Sequence, residues 1–276
     1  NFDFIRYSLI SGLLIGFIAP LIGAFIVVRR LSLIADALSH VTLGGISFGM
    51  FLLTIIPVFS VINPMWFGIL FAVIGALLIE KLRTSFSNYQ EIAIPIIMSA
   101  GIALSAIFIS LADGFNQEIV GLLFGSISAV NISDLTTIII ITIIVLIFIV
   151  LFYKELFILS FDEEYSKVIG IPKWIQFLFI VIVAMVISAS MRVVGILLVS
   201  ALITLPIAIS MRITKGFKQL IALSVILGEL SVILGLIIAF YMNISPGGVI
   251  VVLLVLMLIL TMIIQKLKIK FKKGVV

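Results

Sequence analysis

Cysteine is absent from this 276-residue sequence, and histidine occurs once, at His40. Without cysteine the chain has neither a disulfide framework nor a thiolate ligand for a soft metal ion. With one histidine it cannot form the H-E-x-x-H zinc motif of metalloproteases. The phosphate-binding motif G-x-x-x-x-G-K-[ST] is absent as well, so the chain has no P-loop of its own for ATP hydrolysis.

Charged residues are also scarce. They make up 11% of the sequence, whereas 64% is hydrophobic, and the mean hydropathy is +1.48. A water-soluble domain of this length would not have such a composition, which predicts an all-α polytopic membrane protein with one transmembrane domain over residues 1–276. The net charge of +5 does not indicate nucleic-acid binding, because the basic residues lie in short loops between apolar segments.

Nine apolar segments are long enough to cross a membrane, at about 20 residues per crossing. The two segments that flank Arg192 are short and almost adjoin, so the sequence predicts eight or nine transmembrane helices. The segments cover residues 7–28, 37–57, 62–80, 91–112, 134–153, 174–190, 193–211, 219–241 and 248–265.

The positions of Lys and Arg predict the orientation in the membrane. If the C-terminus is cytoplasmic, fifteen of the seventeen Lys and Arg residues face the cytoplasm, and Arg6 and Arg192 lie outside. This is the bias that cytoplasmic loops show. The first segment is followed by Arg29 and Arg30 without a small-residue cleavage pattern, so it is interpreted as a retained span.

The strongest functional signal lies between Arg29 and Gly49, in the stretch RRLSLIADALSHVTLGGISFG. Asp36 and His40 occur there in apolar surroundings, where a charged side chain costs roughly 2.5–3.5 kcal/mol. Four residues make about one helical turn, so both side chains lie on one face, about 6 Å apart along the axis. Such a pair can share a zinc, manganese or iron ion. Alternatively, the two side chains can pair with each other as a structural link.

Two ligands are too few for a zinc-type site, which has about four. A twofold dimer that brought this face together with its copy would supply two carboxylates and two imidazoles at one point. The metal hypothesis therefore predicts a homodimer. The small residues that follow, Gly44, Gly45, Ser47 and Gly49, would let helices approach closely.

Two connecting segments differ from plain loops. In the inner one, residues 154–173, Ser160 is a good N-cap before two acidic residues, and Gly170 and Pro172 end the pattern. This predicts a short helix over about residues 160–171, outside the membrane, that could fit a groove on another protein or be an ordinary surface helix. In the outer one, residues 113–134, the run IVGLLFG predicts a partly inserted helix too short to span.

The stretch VVRRLSLIADALSHVTLGGISFG resembles the permease subunit of the manganese, zinc and iron family of ATP-binding cassette (ABC) importers. That family has the signature R-x-L-S-L-[IM]-[GA]-D-[AS]-L-S-H. Three further segments are similar to it in the right order: FDEEYSKVIGIP to its cytoplasmic coupling segment, MRVVGILLVSALITLPIA to a later core helix, and SPGGVIVVL to the turn into its last helix. The resemblance covers nearly the whole chain.

The resemblance implies a fold similar to the vitamin B12 importer type and a homodimer around a central pathway in the bacterial plasma membrane. It implies that an extracellular lipoprotein or a periplasmic binding protein delivers manganese or zinc, possibly iron, and that two cytoplasmic ATPase subunits drive transport. No permanently bound cofactor is implied. The pathway ligands correspond to Asp36 and His40. The residues that couple to the ATPase correspond to Phe161, Asp162, Glu163, Glu164, Tyr165, Ser166, Lys167 and Gly170.

Two other classes of protein remain open at this stage. A proton-coupled secondary metal transporter could use Asp36, His40 and the apolar-segment residue Glu229 as proton carriers, but no internal repeat of the expected kind is visible. An intramembrane metalloenzyme would need more ligands and a base. Glu229 is otherwise interpreted as a carboxylic acid kept neutral by burial and hydrogen-bonded to a neighbouring helix.

Overall fold

The computed structural model describes residues 3–56, 63–86, 89–112, 117–126 and 130–273, and in these ranges the regular structure is helical, with no strand. A short 3-10 turn, Gln90–Ile92, precedes the fourth helix. The helices are α1 (Asp3–Val28), α2 (Leu33–Ile55), α3 (Met65–Ser85), α4 (Ala93–Leu111), α5 (Gln117–Phe124), α6 (Ile132–Leu151), α7 (Tyr153–Phe161), α8 (Glu163–Ile169), α9 (Lys173–Val194), α10 (Ile196–Ile213), α11 (Phe217–Met242) and α12 (Pro246–Lys273).

The prediction of eight or nine transmembrane helices is confirmed. In the described ranges, eight helices are long and apolar enough to cross a membrane, and α10 contributes a shorter apolar stretch, Leu198–Ile213. The second helix begins at Leu33, four residues before the predicted boundary at 37. Asp36 therefore lies in its first turn, where the helix dipole favours a negative charge.

Side-chain contacts divide the helix ends into two groups. Phe25, Phe179 and Phe217 make ring contacts at one end, and Asn63, Asp134 and Arg192 meet at the other. Consecutive long helices thus run in opposite directions. We call the first group the inner end, because the Lys and Arg pattern predicts that it faces the cytoplasm, and the second group the outer end.

The helix that carries Asp36 and His40 is held between α3 and α4, its main packing partners. A Cβ atom at Gly45 would lie 2.5 Å from the backbone oxygen of Phe67 in α3, and one at Gly101 of α4 would lie 2.8 Å from the backbone nitrogen of Val41. Both separations are too short for any residue except glycine. This close approach fixes α2 against two neighbours.

A single residue joins α9 to α10. Gly195 has φ +88°, and a Cβ there would lie 2.4 Å from the backbone nitrogen of Gly125. The chain reverses at this glycine, because α9 reaches the outer end at Arg192 and α10 returns to the inner end. The short helix α5 precedes Gly125, which confirms the helix predicted in the outer segment.

The inner segment contains two helices, α7 and α8, and the predicted helix corresponds to α8. It begins at Glu163, because Ser160 is not its N-cap. Ser160 is buried inside α7, where its hydroxyl donates a hydrogen bond to the carbonyl oxygen of Leu156 at 2.7 Å. Asp162 is the N-cap of α8, and its side chain accepts from the backbone N–H of Tyr165 at 2.8 Å. A serine hydroxyl can donate to a carbonyl oxygen of the preceding turn and so remain inside a helix. The carboxylate one residue beyond the end of α7 can instead cap the N-terminus of α8. Gly170 ends α8 with φ +82°, as predicted.

Candidate metal site and coupling helix

Helix α2 is buried on nearly all sides in its first four turns. Between Ile34 and Gly49 the residues that are not buried are Asp36, His40 and Phe48. The ring of Phe48 is accounted for, because it packs on the rings of α3 and α4 phenylalanines, with the nearest centroid at 5.0 Å. Asp36 and His40 are therefore the partly exposed positions on this part of α2 that no ring packing covers, and we call this face of the helix the opening.

The backbone around His40 is held firmly. The single O–H of Ser105 on α4 lies within hydrogen-bond distance of two carbonyl oxygens, that of His40 at 3.1 Å and that of Gly101 at 2.7 Å. On the opposite side, the hydroxyl of Thr42 lies 3.2 Å from that of Ser188 on α9. Two neighbouring helices therefore fix the turn that presents the imidazole, which is the support that a binding site needs.

The structure places Asp36 and His40 on one face of α2, as predicted. Among the described residues neither side chain takes part in an ion pair or a hydrogen bond, so the alternative of an internal Asp–His link is not formed. The described part of a single chain also contains no group of three or more His, Cys, Asp or Glu residues that could hold a metal ion. One chain thus offers two ligands at this face.

The joint between α1 and α2 is tight and well defined. Arg30 has the left-handed φ of +59°, which costs a non-glycine residue roughly 1–2 kcal/mol. The N–H of Leu31 donates to the oxygen of Ile26 at 3.0 Å, and that of Arg30 donates to the oxygen of Val27 at 3.0 Å. These two hydrogen bonds form a Schellman motif. The start of α2 therefore follows the end of α1 closely.

The inner end next to this joint is strongly basic. A cavity of about 710 Å³ lies there, between the ends of α1, α3, α7, α10 and α11, and none of the described residues that line it is acidic. Arg83 is nearly buried and pairs with Glu80 at 3.2 Å. The basic residues that line the cavity are Arg29, Arg30, Arg83 and Lys215.

The structure does not bring Glu229 to the candidate metal site. Glu229 lies on α11, which packs against α1, α12 and α10 and, within the described residues, makes no substantial contact with α2. Its Oε2 atom is buried without a hydrogen-bond partner in the described structure, 3.4 Å from where a Cβ of Gly16 would be. Pro20 has no N–H to donate to the carbonyl oxygen of Gly16. The carboxyl group therefore faces a weakened turn of α1.

The predicted coupling residues form an exposed projection at the inner end. Phe161 closes α7, Asp162 caps α8 and Gly170 ends it, while Glu164 and Lys167 are exposed and Ser166 is buried. The side chain of Glu163 lies outside the described residues. Three apolar side chains of α8 are also exposed, by 53% for Tyr165, 83% for Val168 and 50% for Ile169. An apolar surface on so short a helix, outside the spans, is typical of a protein contact.

A charged cluster at the outer end was not predicted from the sequence. Arg192 donates to Asp134 at 3.2 Å and to the side-chain oxygen of Asn63 at 3.4 Å, and it lies 3.9 Å from Glu118. The Asp134 side chain is fully buried and completes a capping box with Asn131. The one sequence signal was that Asp134 and Arg192 both lie at ends of apolar segments.

A bundle of antiparallel apolar helices, with a partly exposed polar pair on one buried helix and an exposed helix beyond the spans, is compatible with a transport permease. The family model of the ABC 3 transport family matches residues 1–265. The chain belongs to this family, as the resemblance predicted.

Proteins similar to this chain have names that agree with metal transport. It is 32% identical over 269 residues to a probable metal transport system membrane protein of Treponema pallidum (strain Nichols), covering 95% of this chain and 97% of that one. It is 30% identical over 252 residues to the manganese transport system membrane protein MntC of Listeria monocytogenes, covering 91% and 87%. A solved structure, PsaBC from Streptococcus pneumoniae in complex with Fab, matches with a TM-score of 0.80 at 29% identity, covering 94% and 90%.

These matches confirm the predicted all-α permease fold and the predicted class. The protein is a membrane-spanning metal permease of an ABC transport system, a transport component and not an enzyme.

Proposed function

We propose that this chain is the permease subunit of an ATP-driven importer of divalent transition-metal ions in the bacterial plasma membrane, with manganese as the first candidate substrate. The observation that carries the proposal is the opening on α2, where Asp36 and His40 are the polar side chains left uncovered between Ile34 and Gly49. The manganese named for the relative MntC supports this choice of metal. Carboxylate and imidazole suit manganese, zinc and iron alike.

The transport path would form between two copies of the chain. One chain supplies two ligands, and a twofold axis at the opening of α2 would supply four. No resident metal is needed, because the ion is the cargo. The ligands must hold it weakly enough to release it, since binding that is too favourable stops conduction.

One copy of a cytoplasmic ATPase would dock on α8 of each permease chain, which makes two copies per dimer. The exposed Tyr165, Val168 and Ile169 offer the apolar surface for this contact, and the basic residues around the inner cavity support a cytoplasmic location for this end and for the C-terminus. A metal-binding lipoprotein or periplasmic binding protein would deliver the ion to the outer end. ATP binding would bring the two ATPase subunits together and so move α8. That movement would switch access to Asp36 and His40 from one side of the membrane to the other.

Proteoliposomes that hold the permease with its cognate ATPase and binding protein test this proposal. We expect ATP-dependent uptake of radiolabelled manganese that exceeds uptake of zinc in a separate assay. Omission of ATP is the control. Uptake that ignored ATP and followed an imposed proton gradient would overturn the proposal in favour of the proton-coupled secondary transporter, which the position of Glu229 away from α2 does not favour.

A further inference from the structure

Six aromatic side chains form a continuous cluster at the inner end, which we call the inner aromatic cluster. Each ring contacts at least one other, with centroid separations between 4.7 and 6.4 Å. The cluster runs from Phe25, which is fully buried, to Phe161, which is 57% exposed. Its members are Phe25 of α1, Tyr153, Phe157 and Phe161 of α7, Phe179 of α9 and Phe217 of α11.

The exposed end of the cluster adjoins the coupling helix. Within the described residues α8 packs chiefly against α7, so a displacement of α8 reaches the transmembrane bundle through α7 or through the short connection to α9. Phe161 ends α7 one residue before the Asp162 cap. Its ring lies 4.7 Å from that of Phe157 and 5.5 Å from that of Phe217. A movement of α8 that displaces the end of α7 would therefore reach these rings.

The buried end of the cluster adjoins the helix with the metal ligands. The ring of Phe217, at the start of α11, lies 5.2 Å from that of Phe25 in the last two turns of α1. The carbonyl oxygen of Phe25 accepts from the N–H of Arg29 at 3.3 Å, and the Arg29 guanidinium lies over the ring of Phe179 at 6.0 Å. The Schellman motif that follows leads into α2 within one turn of Asp36. The cluster thus lies between the end of α7, which precedes α8, and the end of α1, which precedes α2.

We propose that Phe217 is a positioning residue for transport: it joins the coupling segment at Phe161 to α1 at Phe25, and so passes the displacement of α8 to the opening at Asp36 and His40. Phe217 is the residue of choice because it contacts Phe157, Phe161 and Phe25 together. Densely packed aromatic side chains transmit displacement because their contacts resist deformation. This inference rests on the proposed ATP-driven function.

The test compares metal uptake with ATP hydrolysis in the same proteoliposomes. Phe217→Leu keeps an apolar side chain but removes the ring, and we expect hydrolysis to continue while the manganese taken up per ATP falls about fivefold or more. Phe217→Tyr keeps the ring and should restore the ratio. The matched control is Phe148→Leu, because Phe148 is equally apolar, is 6% exposed and has its ring contact with Phe152 outside the cluster.

A distance measurement separates transmission from general packing. The chain has no cysteine, so Leu33→Cys, at a position 60% exposed at the start of α2, gives one spin label per copy. We expect the label-to-label distance in the dimer to shift when ATP is trapped with vanadate, and the shift to disappear in Phe217→Leu but not in Phe148→Leu.

The possible failures are distinguishable. If the wild-type protein shows no ATP-dependent uptake, the proposed function fails and this inference fails with it. If the wild-type protein couples uptake to ATP and Phe217→Leu keeps both the ratio and the distance shift, this inference alone is wrong. An equal loss in Phe217→Leu and Phe148→Leu would also overturn it, because the effect would then belong to core packing at large.

Discussion

At the scale of single residues, the proposed function depends on two side chains of α2. Asp36 and His40 are the polar groups that α2 leaves uncovered in its buried turns, and burial of such groups without a partner is expensive in a membrane. Under the proposed function, the transported ion is the partner of these two groups. The expected behaviour of variants at these positions follows from that role.

We predict that Asp36→Asn and His40→Ala each lower ATP-dependent manganese uptake by at least about tenfold, because each removes one ligand from every chain. Both variants should still insert and assemble, since neither side chain has a protein partner among the described residues. Radiolabel uptake and size-exclusion chromatography measure the two effects. Ser39→Ala is the control, because its buried hydroxyl only bonds back to Ala35. Normal uptake by both ligand variants would refute the metal site.

Glu229 offers a second prediction at this scale. Glu229→Gln keeps the shape of the side chain and replaces the carboxyl group by an amide with N–H donors, beside the turn in which Pro20 leaves the Gly16 carbonyl without its helical donor. We expect uptake and thermal stability to stay unchanged. Glutamine cannot carry a proton, so a loss of uptake in a correctly assembled protein would show instead that Glu229 is a proton carrier.

At the scale of the helices, hydropathy predicted the spans well, because long apolar segments in this chain have few alternatives to crossing a membrane. The ends were harder to predict. Ser160 and Asp162 are both good caps, and the choice between them depends on where α7 stops, which tertiary packing decides. The early start of α2 depends on the left-handed conformation of Arg30, which the sequence does not signal because Gly or Asn is usual there.

The packing of α2 gives a prediction with a built-in control, because two adjacent glycines differ in their surroundings. A Cβ at Gly45 would meet the backbone of α3 at 2.5 Å, whereas one at Gly44 would lie 3.4 Å from its nearest neighbours. We expect Gly45→Ala to lower stability by about 1–3 kcal/mol through overpacking. Gly44→Ala should change it by less than about 1 kcal/mol. Thermal unfolding in detergent measures both, and equal effects would contradict the close approach of α2 and α3.

At the scale of the whole molecule, the cluster at the outer end joins helices that are distant in sequence. Asp134 and Arg192 bring α6 and α9 together, and Asn63 adds the start of α3. We predict that Arg192→Ala destabilises the protein by about 3–5 kcal/mol, because Asp134 would keep a buried charge without its partner. Unfolding in detergent measures the loss, and Arg6→Ala, at an exposed site, should be neutral.

A double variant checks the reason for that loss. Combining Arg192→Ala with Asp134→Asn removes the stranded charge, so part of the stability should return. If the double variant is as unstable as the sum of the two single variants, the ion pair is not the cause.

Only those parts of the site whose residues are close together in the sequence could be predicted. Asp36 and His40 are four residues apart on one helix, so their common face follows from helical geometry. The pair Asp134 and Arg192, and the rings of Phe25, Phe161 and Phe217, come from separate helices. Their contacts depend on how the helices pack, and with no cysteine or further histidine to restrict the partners, composition could not identify them.

The junction at Gly195 also has a consequence for biogenesis. Since one residue separates α9 from α10, no polar loop exists that a translocon could hold on the far side while the second helix enters. We expect the two helices to leave the ribosome and partition into the lipid together, as a preassembled hairpin. The charge of Arg192 would then cross the bilayer at the hairpin tip, so that the permease acquires its outer ion pair during synthesis, before α11 and α12 have been made.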